Sequence, residues 1–247
     1  MDNFFPGLDH PSDAKHFRQC MISIAALRSR KSDFEVGRWI LDSGAFMEIK
    51  NRGDFRDSPE EYAAQIRRWW RCGLLLAAVT QDYMCEPFIL NITGKTVEDH
   101  QRMTIERYDR IKAAVGPMVY VMPVLQGFEP DEYVSHLRQY GSTIANGAWV
   151  GVGSVCKRNA RVEDVEHVFM AIRKERPDLR LHGFGIKITS LESSIVRMCL
   201  FSADSMAWSR AARWEGRDNH DWREAQLFAD KIASQKVRRR EFQARMF

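Results

Sequence analysis

Cysteine is scarce and scattered in this 247-residue chain, which has five cysteines and no C-x-x-C pair. Isolated cysteines in an odd number argue against a disulfide framework and against a cysteine-rich zinc site. We therefore expect a reducing cytosolic compartment, and we interpret Cys156 and Cys199 as core residues.

Long hydrophobic runs are also lacking. The longest apolar stretch covers residues 74–79, far short of the roughly 20 residues that a membrane-spanning helix needs. No basic and then apolar leader follows Met1. These absences predict a cytoplasmic protein that has no membrane partner.

Several catalytic signatures are absent from the sequence. It contains no H-E-x-x-H or H-x-H, no G-x-S-x-G, no P-loop, and no G-x-G-x-x-G after an early strand. Metal-dependent hydrolysis, acyl transfer through serine and dinucleotide binding therefore have no support. We expect neither a metal nor a cofactor.

The composition is that of a soluble globular protein, with 45% apolar and 28% charged residues. The net charge is +4, and basic residues concentrate near the end, at Lys236, Arg238, Arg239, Arg240 and Arg245. Such a run is either a solvated helix face or a contact for phosphate or nucleic acid. We expect it on a basic helix over about 219–247.

Eight short apolar segments recur along the chain and have the character of buried parallel strands. They cover residues 4–8, 20–27, 38–42, 74–82, 118–127, 148–154, 179–187 and 199–209. Helical patterns lie between several of them, at 59–69 after Ser58, at 97–111 after Thr96, and at 130–140, 162–176 and 190–198. This alternation predicts a single α/β domain, residues 1–247, folded as a (β/α)8 TIM barrel; a doubly wound open sheet is the main alternative.

Polar residues and glycines follow most of the predicted strands. Asp42 ends the third strand, Asp82 the fourth and Asp204 the eighth, while Gln126-Gly127 and the Gly151–Gly153 pair follow the fifth and sixth. One such Asp would be interpreted as a turn or cap residue, but three at corresponding positions favour carboxylate chemistry at the barrel mouth. Two carboxylates can displace a leaving group at a sugar anomeric carbon, and glycines allow a flat ring to approach the backbone.

Six motifs, in order, resemble the tRNA-guanine transglycosylase superfamily, and most closely its DNA-modifying branch, the 7-deazaguanine DNA transglycosylases (DpdA). They are LDSGAF, QDYMCEP, PVLQG, VGVGSVC, LHGFGIK and ADSMAWS, and the early segment GLDHPSDA also resembles that branch. The resemblance covers roughly residues 3–210. It implies a (β/α)8 barrel that exchanges guanine in a polynucleotide for a 7-deazaguanine, such as 7-cyano-7-deazaguanine, without cutting the strand.

The resemblance also implies roles for individual residues. Asp204 would be the nucleophile at C1′, Asp42 the acid/base, and Asp82 the acceptor for the N–H groups of the base. Gln126, Gly127, Gly151 and Gly153 would complete the purine pocket, Ser43 would support its floor, and Phe46 would be a stacking neighbour. An ionised acceptor suits the N1–H and amino donors of guanine.

The partners implied are DNA with a flipped guanine nucleotide and the free 7-deazaguanine base. Basic residues would hold the DNA backbone: Arg210, Arg213, Arg217, Arg238, Arg239 and Arg240. A homodimer is a further expectation from the superfamily. Because the branch includes phage proteins, evasion of restriction and location in the host cytoplasm are implied as well.

Two departures from the tRNA enzymes favour DNA. Ala45 stands where those enzymes have a second glycine, and no cysteine follows Cys199, so their C-terminal zinc subdomain is missing and His220 is interpreted as a helix-start residue. Three alternatives stay open: a tRNA-guanine transglycosylase, a catalytically silent nucleic-acid or base-binding barrel, and an unrelated barrel glycosidase.

Overall fold

The computed structural model describes residues 3–156 and 161–234. Nine parallel strand segments form one sheet in the order β5-β4-β3-β2-β1-β9-β8-β7-β6. They are β1 (Phe4–Leu8), β2 (Gln19–Ser23), β3 (Arg38–Asp42), β4 (Leu74–Val79), β5 (Val121–Met122), β6 (Val124–Leu125), β7 (Trp149–Val152), β8 (Arg180–Gly183) and β9 (Leu200–Ser205).

The sheet closes on itself at Pro123, the single residue between β5 and β6. Thr80 N–H donates to the carbonyl of Met122 on one side (3.1 Å), and Gly151 N–H donates to the carbonyl of Pro123 on the other (2.9 Å). Residues 121–125 thus form one strand course, which is interrupted because proline has no N–H to donate. The predicted eight-stranded barrel is confirmed, and the open sheet is wrong.

Helices surround the barrel. They are α1 (Ile24–Leu27), α2 (Ala45–Arg52), α3 (Pro59–Trp69), α4 (Pro87–Thr93), α5 (Val97–Val115), α6 (Pro130–Tyr140), α7 (Val162–Glu175), α8 (Ile188–Leu191), α9 (Ser194–Cys199), α10 (Ala207–Trp214) and α11 (Trp222–Ser234). The helices predicted after Ser58 and Thr96 are present, and each begins with a capping box. No helix within the described ranges is both long enough and apolar enough to cross a bilayer.

Some predicted boundaries are wrong. The segment 20–27 is a strand only to Ser23, whose hydroxyl accepts the N–H of Ala25 and so begins α1. The helix predicted over 190–198 is two short helices, because Ser193 caps a new one. Helices α2, α4 and α10 were not predicted. The basic residues from Lys236 onward lie outside the described part of the chain.

Side chains alternate between the two faces of the barrel wall along most of each strand, with irregular steps in β4 and β9. Phe5, Met21, Ile40, Val79, Val124 and Trp149 fill the barrel interior, while their strand neighbours, such as Leu41 and Val150, pack against the helices. Because the side-chain period of a strand is two, the residues two positions beyond these interior side chains also face inward. Those residues include Asp42, Gln126 and Gly7, at the carboxyl end of the barrel.

Candidate active site

A cavity of about 200 Å³ opens at the carboxyl ends of the strands. Its polar lining is Ser23, Asp42, Asp82, Glu86, Gln126, Ser154 and Asp204, and its apolar lining includes Met21, Phe46, Val79, Met84, Phe184 and Met206. The structure therefore brings together in one cavity six of the site residues expected from the sequence: Asp42, Phe46, Asp82, Gln126, Gly153 and Asp204.

Asp42 ends β3 directly opposite Ser23 of β2. The N–H of Gly44 donates to Asp42 Oδ2 (3.0 Å), and the Ser23 hydroxyl and the N–H of Ser43 also donate to this carboxyl. Protein atoms surround Asp42 on every side except the cavity. That burial, followed by the charge of Asp204, raises the pKa of Asp42 to about 6. Such a group can both give and take a proton near neutral pH.

Asp204 lies on β9, beside Phe5 of β1. Its Oδ1 accepts the N–H of Gly185 (3.1 Å) and lies 3.3 Å from Nε2 of His182. Its other oxygen, Oδ2, has no hydrogen-bond partner among the described residues. His182 is fully buried. His182 was not predicted as a site residue, although its inward position between Leu181 and Gly183 follows from the strand alternation.

Asp82 follows β4 in an irregular segment and is bound by Gln126, whose Nε2 donates to Asp82 Oδ2. Burial raises the pKa of Asp82 to about 7; the Gln126 hydrogen bond opposes that rise, and the charges of Asp42 and Glu86 add to it. Gly153 faces the Gln126 amide so closely that a Cβ at this position would overlap it. A glycine here is therefore what allows Gln126 to reach Asp82.

Two further polar residues of the cavity, Glu86 and Ser154, were missed in the sequence. The Ser154 hydroxyl accepts the N–H of Cys85 (2.9 Å) and lies 2.9 Å from Glu86 Oε2 and 2.7 Å from Gln126 Oε1. Ser154 has a left-handed backbone conformation, φ 53°, which is strained for a residue with a side chain. Such strained conformations occur preferentially at functional sites. Glu86 lies within the motif QDYMCEP and Ser154 within VGVGSVC. Their positions in these motifs are the signal by which the sequence could have identified them.

The backbone of Gln126 is held from the helix layer. His136 Nδ1 accepts the N–H of Gln126 (2.9 Å), and Gln101 Nε2 donates to the Gln126 carbonyl (2.8 Å). Burial lowers the pKa of His136 to about 3, so this imidazole is a neutral acceptor. The amide that reaches Asp82 is thus fixed at its backbone by α5 and α6.

Three residues predicted for the base pocket lie outside the cavity lining. Ser43 is buried beside it, and its hydroxyl has no hydrogen-bond partner in the described structure. Gly127 packs against Tyr133 of α6, and Gly151 lies behind the ring of Phe184. Phe46 does line the cavity, and so does Cys156, which was interpreted as a core residue.

The predicted basic residues divide into three groups. Arg210 and Arg213 are exposed on α10, which begins two residues after β9, and neither forms an ion pair with any described residue. Arg217 pairs with Glu215 and Glu224. Arg238, Arg239 and Arg240 lie outside the described residues. His220 stands just before α11, with Nδ1 3.4 Å from Asp9 Oδ2.

The polar groups of the cavity are four carboxyls, one amide, two hydroxyls and the Cys156 thiol. Over residues 3–156 and 161–234, no cluster of three histidine, cysteine, aspartate or glutamate residues could hold a metal ion. A carboxyl with a pKa near neutrality beside a second carboxylate is an arrangement that supports displacement at an anomeric carbon.

The chain was compared with curated proteins and with models of known protein families. No curated protein matches it. The family model for DpdA, described as DeoxyPurine in DNA protein A, matches residues 20–220. That span includes every described residue of the cavity except those on and next to β1, and it covers most of the chain. The chain therefore belongs to the DpdA family.

Proposed function

We propose that this protein exchanges guanine in DNA for a 7-deazaguanine base, by double displacement through a covalent Asp204 intermediate. The family description connects the chain with deoxypurine modification of DNA. The observation that carries the proposal is that Asp42 and Asp204 face one cavity at the barrel mouth, close enough for the charge of Asp204 to raise the pKa of Asp42.

In the first step, Asp204 Oδ2 attacks C1′ of the target deoxyribose. The C1′–N9 bond breaks, its electron pair goes to the departing guanine, and protonated Asp42 gives that base its proton. In the second step, Asp42 as a carboxylate takes the N9 proton of the incoming 7-deazaguanine. N9 then attacks C1′, the C1′–Oδ2 bond breaks, and the Asp204 carboxylate is released. Two displacements retain the configuration at C1′.

Asp82 and Gln126 provide the base-recognition edge in this proposal. Guanine and 7-deazaguanines share an N1–H and an exocyclic amine, and an ionised Asp82 accepts both. Gln126 donates to Asp82 and so holds the carboxylate towards the cavity. Phe46 and Phe184, on the cavity walls, offer apolar surfaces to the faces of the base.

The DNA backbone would contact the exposed side of α10. Trp208 Nε1 donates to the carbonyl of Gly7 (2.8 Å), which fixes α10 beside the mouth. Met206 lines the cavity, and Arg210, Arg213 and Trp214 follow on the exposed side at helical spacing. Trp214 is 87% exposed. Arginines for phosphates and an aromatic ring for stacking suit an opened nucleic-acid strand.

The direct test is incubation of the protein with guanine-labelled DNA and 7-cyano-7-deazaguanine. We expect label to be released, the new nucleoside to appear in DNA by mass spectrometry, and the strand to stay intact. Asp204→Asn should abolish exchange and the trapped covalent adduct while leaving DNA affinity nearly unchanged. The matched control is Asp109→Asn, on the exposed side of α5, which should exchange at the wild-type rate.

Other outcomes would replace this proposal. Exchange on tRNA but not on DNA would make the protein a tRNA-modifying enzyme. DNA binding by the folded protein without exchange would favour a silent binding barrel. Exchange retained by Asp204→Asn would remove this residue from the nucleophilic role.

A further inference from the structure

We propose that His182 is a positioning residue for Asp204: it binds one carboxylate oxygen so that the other is presented to C1′. This inference rests on the proposed function, in which Asp204 is the nucleophile. It concerns a residue that makes no contact with the cavity, since His182 is fully buried behind Asp204 in the barrel interior.

The two residues lie on adjacent strands. His182 of β8 is the register partner of Ser202 of β9, and Asp204 is the next residue of β9 on the same face. His182 Nε2 lies 3.3 Å from Asp204 Oδ1, and His182 Nδ1 lies 2.8 Å from Ser202 Oγ. The imidazole therefore connects two side chains of one strand.

Hydrogen-bond counting assigns the tautomer. Trp149 Nε1, which can only donate, gives its proton to Ser202 Oγ (2.8 Å). The Ser202 O–H must then donate elsewhere, and the one described acceptor within reach is His182 Nδ1. Nδ1 is consequently unprotonated and Nε2 carries the proton, which it donates to Asp204 Oδ1. With the protons in these positions, each group donates to the next in the order Trp149, Ser202, His182, Asp204, and every hydrogen bond in the series has one donor and one acceptor.

The two oxygens of Asp204 are thereby made unequal. Oδ1 receives two donors, the backbone N–H of Gly185 and the Nε2–H of His182, whereas Oδ2 receives none from the described residues. Hydrogen bonds withdraw electron density from the oxygen that accepts them, so Oδ2 is the better nucleophile. A neutral imidazole fixes the carboxylate without the stronger attraction that an imidazolium would exert on it.

An aromatic enclosure keeps the imidazole in this orientation. The ring centroid of Phe184 lies 4.7 Å from that of His182, Trp149 lies at 6.0 Å and Phe5 at 6.4 Å, all inclined or edge-on. These rings contribute no competing acceptor for Nε2–H and exclude water from it. Asp204 is the single described carboxylate within hydrogen-bond distance of His182.

Two substitutions of His182 separate positioning from packing. In His182→Gln, the side-chain Nε2 can occupy the place of the imidazole Nε2 and still donate to Asp204. In His182→Asn, the shorter amide reaches the place of Nδ1 and contacts Ser202 alone. Both replace an imidazole by a smaller amide, so comparison between them isolates the donor to Asp204.

The experiment measures formation of the covalent DNA adduct in a single turnover, together with DNA affinity and thermal unfolding. We expect His182→Asn to slow adduct formation about 100-fold, as displaced reacting groups do, and His182→Gln to stay within about tenfold of wild type. DNA affinity should be unchanged in both. Equal adduct rates for the two variants would overturn the proposal.

A second measurement does not depend on activity and reads the tautomer in the wild-type protein. ¹⁵N NMR of histidine-labelled wild-type protein should show His182 as the neutral Nε2–H tautomer, with the His182→Gln spectrum used for assignment. An Nδ1–H tautomer would overturn the proposal even in active enzyme. Absence of any adduct in wild type would instead count against the proposed base exchange, and the tautomer would still decide the role of His182.

Discussion

Asp42 of β3 and Asp204 of β9 lie on strands that are separated by β2 and β1, yet both side chains face one cavity. The charge of Asp204 helps to raise the pKa of Asp42 to about 6. Esterification of Asp204 would remove that charge. The pKa of Asp42 would then fall, and Asp42 would remain a carboxylate after giving up its proton. The coupling suits a group that acts first as an acid and then as a base.

The first prediction concerns the pH dependence of adduct formation. Asp42 must be protonated in this step, so the single-turnover rate at saturating DNA should fall as the pH rises through the pKa of Asp42. That pKa is about 6 in the free protein, and DNA that covers the cavity should raise it by excluding water. Above it, the rate should drop about tenfold per pH unit.

Asp42→Asn provides the control for that profile. It should be slow and should lack the alkaline decline, whereas Asp109→Asn should keep the wild-type profile. An adduct rate that rises steadily from pH 6 to pH 8 in the wild type would contradict the acid role of Asp42.

The second prediction concerns stability and Asp82. Its pKa is about 7 in the folded protein, so between pH 4 and pH 7 the folded state binds more protons than the unfolded state. The free energy of unfolding therefore decreases as the pH rises through this range, and the decrease is complete above pH 7. Asp82→Asn should raise the free energy of unfolding at pH 8 by about 2 kcal/mol.

Urea denaturation at several pH values measures this effect. The advantage of Asp82→Asn should shrink towards zero as the pH falls to about 4, because protonated Asp82 carries no charge there. The charges of Asp42 and Glu86 contribute to the shift, so both must be intact in the proteins compared. An advantage of the same size at pH 5 and pH 8 would refute the assignment to Asp82.

The barrel and much of its cavity follow from rules that operate within one strand. Ile40 and Asp42 share a face because the strand period is two, and an apolar run ending in Asp at a barrel mouth places that carboxyl inside. Asp204 and Gln126 follow from the same rule. These positions need no knowledge of loop conformation, and so the sequence is sufficient to place them.

The residues that sequence analysis missed depend on contacts between distant elements. Ser154 approaches Glu86 across 68 positions, through an irregular segment after β4 and a left-handed backbone after β7. Gly127 and Gly151 were expected in the base pocket from the family resemblance, but Phe184 and α6 cover them. Neither the path of a loop nor the side chain that covers a glycine is encoded in a strand pattern.

The third prediction concerns Arg210 and Arg213. Replacing both by alanine should weaken DNA binding and make it less dependent on salt, because two phosphate contacts are lost. The slope of log affinity against log salt should decrease in magnitude by about 1.8. Arg102→Ala with Arg138→Ala removes the same charge from α5 and α6, where both arginines are paired, and should leave the slope unchanged.

The fourth prediction concerns Trp214, which no other described side chain covers to any large extent, as its 87% exposure shows. If it stacks on an unpaired base, Trp214→Ala should weaken binding of a single-stranded oligonucleotide by about 30-fold, near the middle of the range for base–aromatic stacking. Trp214→Phe should keep most of the affinity, since a ring remains. Fluorescence anisotropy of a labelled oligonucleotide measures both.

Leu227→Ala is the matched control, because Leu227 is a large apolar residue of α11 that is 61% exposed and carries no proposed contact. Its oligonucleotide affinity should equal that of the wild type. Sedimentation velocity distinguishes the competing explanation of the exposed ring. A wild-type dimer that Trp214→Ala converts to monomer, with DNA affinity unaltered, would assign Trp214 to contact between two copies of the chain and not to DNA.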